Sequence, residues 1–197
     1  TQIVGFSGFG FPKAHSAAFG LLAYQSTWLR VHYHPEFLCA LLNEQPMGFY
    51  PPDSLVHEAQ RVGVEVRPPC VVSSYAESRV EGSAVRLGLR CVNGCKEEEV
   101  RALVAEREGW AAEREGPAPG AERARSASGP RPWRSLGDLA ARSGAFADTL
   151  GKLAWAGACD VLADGPAAGR RRQALWQLGV AVPGVAVPEG TQLALPL

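Results

Sequence analysis

A lysine and a histidine stand two residues apart at the start of a predicted helix, directly after a glycine-rich turn. The stretch Gly8–Phe19 reads GFGFPKAHSAAF, and Lys13 is one of only three lysines in the chain. Such a turn exposes backbone N–H groups, and the helix N-terminus adds partial positive charge. Together with Lys13 and His15, these groups could bind a phosphate. The stretch matches neither a P-loop nor a dinucleotide fingerprint, so a solvated surface lysine is the alternative interpretation.

A second candidate site is the tight turn Val92-Asn93-Gly94, which separates an apolar segment from a predicted helix. Two short helices joined by a glycine turn can present backbone N–H groups to a DNA phosphate without reading base sequence. A second unit of this kind is indicated in LGKLAWAGACDVL, followed by arginines at 170–172. Lys96 stands where such hairpins prefer another glycine, so an αα-hairpin used only for packing is an equal alternative.

The cysteines and histidines do not form a metal-binding or triad pattern. Cys91 and Cys95 have no second ligand pair at zinc spacing. His32 and His34 lack an accompanying carboxylate and nucleophile, and no close aspartates follow a strand to hold two magnesium ions. Five irregularly spaced cysteines also argue against a disulfide framework, so we expect reduced thiols.

The charges balance over the whole chain, with 20 basic and 20 acidic side chains. This balance excludes a protein that attracts polyanions through its net charge. Residues 1–116 carry 11 basic and 14 acidic side chains, whereas residues 117–197 carry 9 and 6, so any nucleic-acid face is expected toward the C-terminal half. Hydrophobic residues make up 46% of the chain, but no apolar run reaches membrane-spanning length. We therefore expect a globular, cytoplasmic protein without a membrane partner.

Helical periodicity dominates the elements that must position these residues. The segments VEVRPP and AVRLGL alternate as two short strands around a polar loop. Asp53 or Ser54 is the expected cap of the third helix, and Ser135 the expected cap of a later one. The expected fold class is therefore mainly α with a small β element. The predicted helices lie at 15–33, from 35 to about 45, at 55–62, after residue 95, after residue 135, at about 148–156 and from residue 170 to about 179.

Long stretches of the chain resemble a known family. GFGFPKAHSAAFGLLAYQSTWLRVHYHPEFLCALLNEQPMGFY is similar to the end of the fingers domain of bacterial C-family DNA polymerases, and NEQPMGFY resembles their error-prone, damage-inducible branch. The similarity continues through VRLGLRCVNG, SLGDLAAR, LAWAGACDVL and RRRQALWQL. It implies a helical fingers end, a tandem helix-hairpin-helix region and primer-template DNA as partner. For the whole polymerase it implies magnesium and a deoxynucleoside triphosphate.

The resemblance also implies roles for individual residues. Lys13 and His15 would contact the triphosphate of the incoming nucleotide, and Ser16 with the turn from Gly8 to Gly10 would shape that site. The metal-binding aspartates of the family lie in a palm domain that precedes this segment. The chain by itself is therefore expected to bind no cofactor and to be inactive as an enzyme. The implied DNA contacts are Asn93, Gly94, Lys96, Arg170, Arg171 and Arg172.

The last seven residues, TQLALPL, resemble the peptide by which bacterial polymerases hold the sliding clamp. The glutamine amide can hydrogen-bond at a pocket rim, the leucines can bury apolar surface, and the proline limits the entropy lost on ordering. The clamp and other translesion-synthesis proteins are thus expected partners. The residues concerned are Gln192, Leu193, Leu195, Pro196 and Leu197.

These observations predict the C-terminal part of an error-prone DNA polymerase that acts in translesion synthesis and DNA repair. The alternative is a protein-interaction module that makes no DNA contact and whose binding is insensitive to salt. The expected organisation is a fingers end at 1–72, a small β element and first helix-hairpin-helix at 73–109, a disordered insertion at 110–132, a second helix-hairpin-helix-like region at 133–179 and an extended clamp-binding tail at 180–197.

Overall fold

The computed structural model describes residues 13–109, 132–145 and 147–182. The chain divides into two compact units between Val64 and Glu65. The predicted insertion lies outside the described residues except for residue 132, and so does the predicted tail from residue 183 onward. None of the helices in the described ranges is long and apolar enough to cross a membrane.

Three helices lie in the described part of the first unit, as the periodicity predicts. They are α1 (Lys13–His32), α2 (His34–Asn43) and α3 (Pro52–Arg61). Pro35 lies in the first turn of α2, where its missing N–H leaves no hydrogen bond unmade. The predicted side-chain cap of α3 is wrong: Pro51, in extended conformation, occupies the cap position, and Asp53 lies inside the helix. Gly63 follows α3 with a φ of +89°, as expected of a glycine that ends a helix.

The core of the first unit is small, because α1 contributes little to it. Leu38 and Leu42 of α2 pack one turn apart and are buried, as is Ala59 of α3. In contrast, every described side chain of α1 is exposed. The exposed apolar side chains of α1 are Phe19, Leu21, Leu22, Tyr24, Trp28, Leu29 and Val31.

A three-stranded sheet opens the second unit. Its strands are β1 (Glu65–Arg67), β2 (Arg79–Glu81) and β3 (Ala84–Arg86), in the spatial order β1-β3-β2. β3 runs parallel to β1 and antiparallel to β2, and Gly82, with a φ of +67°, makes the short connection from β2. The two predicted strands are confirmed. The sequence predicts a polar loop where β2 lies, because Val80 is the only apolar residue of this strand.

Four α-helices follow the sheet among the described residues of the second unit. They are α4 (Glu97–Glu108), α5 (Leu136–Arg142), α6 (Ala147–Trp155) and α7 (Arg170–Ala181), with single 3-10 turns at Leu89–Cys91, Asp160–Leu162 and Ala167–Gly169. The Ser135 hydroxyl accepts a hydrogen bond from the Asp138 amide at 3.1 Å, which confirms the predicted cap of α5. α7 continues past the predicted end at Gly179, because Leu178 is buried and its carbonyl accepts the amide of Val182.

These four helices and the segment around Val71 share one apolar core. The core is built from leucines that recur at helical spacing and are at most 2% exposed. Its largest buried side chains include Leu89, Leu103, Leu136, Leu139, Leu150, Leu153 and Leu178.

Candidate nucleic-acid interface

The first hairpin lies between the 3-10 turn Leu89–Cys91 and α4. Gly94 adopts a φ of +78°, a left-handed conformation that favours glycine, and the Cys95 amide donates to the Val92 carbonyl at 3.2 Å. Asn93 and Gly94 are exposed at the tip of the turn. The predicted first helix of this hairpin is wrong in extent, because it consists of one 3-10 turn. The exposed backbone of the turn nonetheless has the form that could approach a phosphate.

Acidic side chains flank this hairpin on its helical side. The first turn of α4 carries Glu97, Glu98 and Glu99, whose negative charges interact favourably with the positive N-terminal end of the helix dipole. Lys96, which stands in the N-cap position, is exposed and pairs with Glu99 at 3.3 Å. Arg101 pairs with Glu97 at 2.7 Å. The glutamates stabilise α4 and oppose an anion at its N-terminus, so a phosphate is better accommodated at the glycine turn than on the helix end.

The second hairpin follows α6. The Gly157 amide donates to Ala154 at 3.0 Å, and the Ala158 amide donates to Leu153 at 2.9 Å. This pair of bonds is a Schellman motif, and the φ of +83° at Gly157 is the left-handed residue that it requires. The 3-10 turn Asp160–Leu162 comes next. The predicted turn at Gly157 is therefore confirmed, with a short 3-10 turn in place of a full helix directly after it.

The arginine cluster begins α7 and lies against this second hairpin. Arg170 Nε donates to the Gly165 carbonyl at 3.2 Å, and Arg171 Nη2 lies 3.5 Å from Asp160 Oδ2. A Cβ placed on Gly157 would lie 2.1 Å from Arg171 Nη2, so this guanidinium rests directly on the turn. Three cations in a first helical turn oppose the helix dipole. Their position is therefore better suited to an external anion than to the stability of α7.

Lys152 of α6 joins the two hairpins. Its ammonium donates to the Gly94 carbonyl at 2.9 Å and also pairs with Asp148. Lys152 lies five residues before Gly157, which corresponds to roughly 8 Å along a helix. The two glycine turns are thus neighbours in the second unit. Sequence reasoning missed Lys152. Two signals could have found it: the chain has only three lysines, and Lys152 stands four residues after Asp148.

The predicted nucleotide-phosphate site falls at the start of the first unit. Lys13 begins α1, but its side chain lies outside the described residues, as do Gly8 and Gly10. His15 is exposed, with its ring 4.4 Å from that of Phe19 between centroids, and Ser16 follows it on the same helix. The clamp-binding residues from Gln192 to Leu197 also lie outside the described residues. The assignments to both segments remain predictions.

Cys91 and Cys95 face different neighbours. Cys91 Sγ lies 3.4 Å from the Ser78 hydroxyl, whereas Cys95 Sγ lies 3.9 Å from the Thr149 carbonyl. Burial raises the pKa of Cys95 to about 11, because a thiolate is poorly solvated there. Across residues 13–109, 132–145 and 147–182, no three His, Cys, Asp or Glu side chains come close enough to hold a metal ion.

Comparison with known proteins identifies both the hairpin and the wider chain. Residues 63–113 match the helix-hairpin-helix motif family. The error-prone DNA polymerase of Dechloromonas aromatica is 42% identical over 182 residues, which cover 92% of this chain and 15% of the relative. The chain is homologous to a segment of the error-prone DNA polymerases. This confirms the family resemblance that the sequence motifs predict.

Two further error-prone DNA polymerases agree with this relationship. The protein from Azoarcus sp. is 40% identical over 194 residues, covering 93% of this chain and 16% of the relative. The protein from Corynebacterium glutamicum is 37% identical over 199 residues, covering 98% of this chain and 16% of the relative. The chain therefore spans about one sixth of the length of the curated relatives that it matches.

Proposed function

We propose that this chain is a DNA-binding segment of an error-prone DNA polymerase, and that it holds the phosphate backbone of primer-template DNA. The observation that carries the proposal is the helix-hairpin-helix match at residues 63–113, in a chain homologous to an error-prone DNA polymerase over 92% of its length. Duplex DNA is contacted without sequence preference, because backbone amides and arginines reach phosphates rather than base edges.

The geometry of the second unit supports this role. The exposed Gly94 turn adjoins Lys152, and the second turn at Gly157 carries the guanidinium of Arg171. Within the described part of the chain, Arg172 has no hydrogen bond or ion pair with another residue. Because only a few groups can contact phosphates, we expect weak, non-specific affinity, with a Kd of about 10⁻⁴ to 10⁻⁶ M near physiological salt.

Fluorescence anisotropy with a labelled blunt duplex tests the hairpin directly. We expect Gly94→Ala to weaken binding about 10-fold, because a strained left-handed alanine displaces amides that make charge-assisted hydrogen bonds. Gly144→Ala is the matched control: Gly144 also has a positive φ, of +63°, and a Cβ there has open space. Equal losses of affinity in both variants would refute the role of the Gly94 turn, and no duplex binding by the unmodified chain would refute the DNA-binding role.

We further propose that the whole polymerase acts in translesion synthesis and DNA repair, using magnesium and a deoxynucleoside triphosphate. In it, Lys13 and His15 would bind the triphosphate, with Ser16, Gly8 and Gly10 shaping the site. The support is the family relationship together with the position of Lys13 at the start of a 20-residue helix. In the full-length polymerase, Lys13→Ala should raise the KM for nucleotide or lower kcat. Wild-type kinetics would assign Lys13 to the solvated surface.

The C-terminal segment TQLALPL is proposed to bind the sliding clamp. Its pattern of one glutamine and three leucines suits an extended peptide in an apolar pocket, with affinity in the micromolar range. Calorimetry of this chain with a bacterial clamp tests the proposal. A double change, Gln192→Ala with Leu195→Ala, should abolish the binding heat. Heat that persists unchanged would place the clamp contact elsewhere in the chain.

A protein-interaction module without DNA contact is the second candidate. It is favoured by the apolar side chains along α1, of which Phe19 is 59% exposed and Tyr24 68% exposed. This candidate predicts partner binding that salt hardly changes and no affinity for duplex DNA at low salt. The anisotropy experiment therefore separates the two candidates.

A further inference from the structure

One face of α7 presents a cation and two large apolar side chains in a line. Arg172, Trp176 and Val180 are spaced by four residues, so they lie on the same helical face. Trp176 is 65% exposed and Val180 is 68% exposed. Among the described residues Trp176 makes no ring contact, so both faces of its indole are free of aromatic or cationic neighbours.

The fold of α7 does not require this exposed face. The opposite face buries Ala174 and Leu178 completely in the core of the second unit, and this contact holds the helix in place. A surface tryptophan with no packing role exposes a large apolar area to water, which is unfavourable relative to burial. Trp176 therefore offers an open aromatic face to an occupant.

The charges around this face favour an anionic occupant. The two neighbouring arginines are already engaged, Arg170 by the Gly165 carbonyl and Arg171 by Asp160. The remaining nearby carboxylate, Asp164, accepts from Gln177 at 3.4 Å. Arg172 thus adds a positive charge one helical turn from the indole. A protein partner could cover Trp176 with apolar side chains, but it would also have to bury Arg172 beside them.

We propose that Trp176 stacks on an unpaired base of single-stranded DNA while Arg172 pairs with an adjoining phosphate. This inference rests on the proposed DNA-binding function and deepens it, because it assigns the α7 face to single strand and the glycine hairpins to duplex. Aromatic side chains and arginines are the groups that bind single strands without sequence preference. Bases within a duplex are already stacked on each other, so they cannot take the indole.

Anisotropy of the full chain with labelled oligo(dT) and with a blunt duplex tests the assignment. We expect Trp176→Leu to weaken oligo(dT) binding about 10-fold or more and to leave duplex binding within about twofold, since only stacking is lost. Trp176→Phe keeps a stacking face and should restore most of the affinity. Tyr24→Leu is the matched control, because Tyr24 is an equally exposed aromatic residue on α1 of the other unit.

Tryptophan fluorescence adds a second readout. Oligo(dT) should quench part of the emission of the unmodified chain, and this quenching should be absent in Trp176→Phe, which still binds. Unchanged oligo(dT) affinity in Trp176→Leu, with duplex binding intact, would overturn the inference and leave the DNA-binding proposal standing. An equal loss of both DNA forms would overturn it as well, and affinity for neither form by the unmodified chain would overturn both proposals.

Discussion

At the scale of single residues, Arg107 shows how one buried cation organises the second unit. Its side chain is only 4% exposed, and Nη1 donates to the carbonyls of Val71 at 2.9 Å and Ser74 at 2.7 Å. Its Nε pairs with Glu108 at 2.8 Å. Each of these bonds satisfies an oxygen that would otherwise be desolvated, so Arg107 ties the segment after β1 to the end of α4.

We expect Arg107→Met to lower the free energy of unfolding by about 3 kcal/mol, because it leaves two carbonyls and a carboxylate without their buried partner. Urea denaturation monitored by circular dichroism measures the change. Arg101→Met is the matched control: Arg101 also lies on α4 but is 57% exposed, and its surface ion pairs should contribute at most about 1 kcal/mol. Equal losses in the two variants would contradict the role given to Arg107.

Cys95 provides a prediction of pH dependence. Burial raises its pKa to about 11, so the folded state keeps the thiol protonated at pH values where an unfolded thiol has ionised. The free energy of unfolding should therefore fall as the pH rises from the ordinary thiol pKa of about 8.5 through about 11. In Cys95→Ala this fall should be smaller, as measured by urea denaturation at several pH values. Cys39→Ala, in the first unit, controls for the loss of a cysteine side chain, and identical slopes in both variants would contradict the prediction.

At the scale of elements, two backbone segments approach each other closely where β3 leads into the first hairpin. The Gly88 amide donates to the Ser78 hydroxyl at 3.1 Å, and the amides that follow donate to Tyr75 and Ala76. A Cβ on Gly88 would lie 2.4 Å from the Ala76 carbonyl oxygen. The position therefore accepts only glycine, for reasons of space rather than of backbone conformation.

Gly88→Ala should lower the free energy of unfolding by about 1–3 kcal/mol, because the backbone of residues 76–78 would have to move. Gly179→Ala serves as the opposite case. Gly179 lies inside α7 with open space around it, so alanine should raise stability by about 0.5–1 kcal/mol through helix propensity. Thermal denaturation compares the two. If Gly88→Ala leaves the free energy of unfolding unchanged, the backbone of residues 76–78 can move away from residue 88 at no cost.

At the scale of the whole molecule, balanced charge means that DNA is attracted only by local contacts. The chain has a formal net charge of zero, and no long-range positive field steers a polyanion to it. Binding should therefore depend on salt through the few phosphates that are neutralised. For the three arginines at 170–172, the expected slope of log affinity against log salt is about −2 to −3.

Replacing Arg170, Arg171 and Arg172 together by glutamine should remove most of this slope. The measurement is anisotropy at several salt concentrations with a primer-template DNA that has both a duplex and a single-stranded overhang, so that the phosphates assigned to all three arginines are present. A control with the same change in net charge replaces three arginines that are ion-paired elsewhere, Arg61, Arg67 and Arg101. If the control loses as much slope as the cluster variant, the attraction is global and the cluster has no special part in it.

Local sequence patterns determined the helices, the Ser135 cap of α5 and the family resemblance. Apolar residues at helical spacing predict α1 to α7, because a helix on a protein core buries one apolar stripe. Ser135 caps α5 because its hydroxyl stands directly before the helix and accepts a hydrogen bond from a free backbone amide. α1 follows the periodicity in its backbone, yet all its described side chains are exposed. Periodicity therefore predicts that a helix forms, but not what covers it.

Tertiary structure decided the features that depend on residues far apart in the chain. β2 gains its place by pairing with β3, which no pattern within its three residues indicates. The contact of Lys152 with the Gly94 carbonyl joins positions 58 residues apart, and the guanidinium of Arg171 reaches Gly157 only because α7 packs beside α6. The sequence alone determined which residues could bind phosphate. Long-range packing decided which of these residues bind other groups of the protein. It also decided which of them, like Arg172, have no partner among the described residues. The physical reason is that burial and pairing are properties of the folded chain.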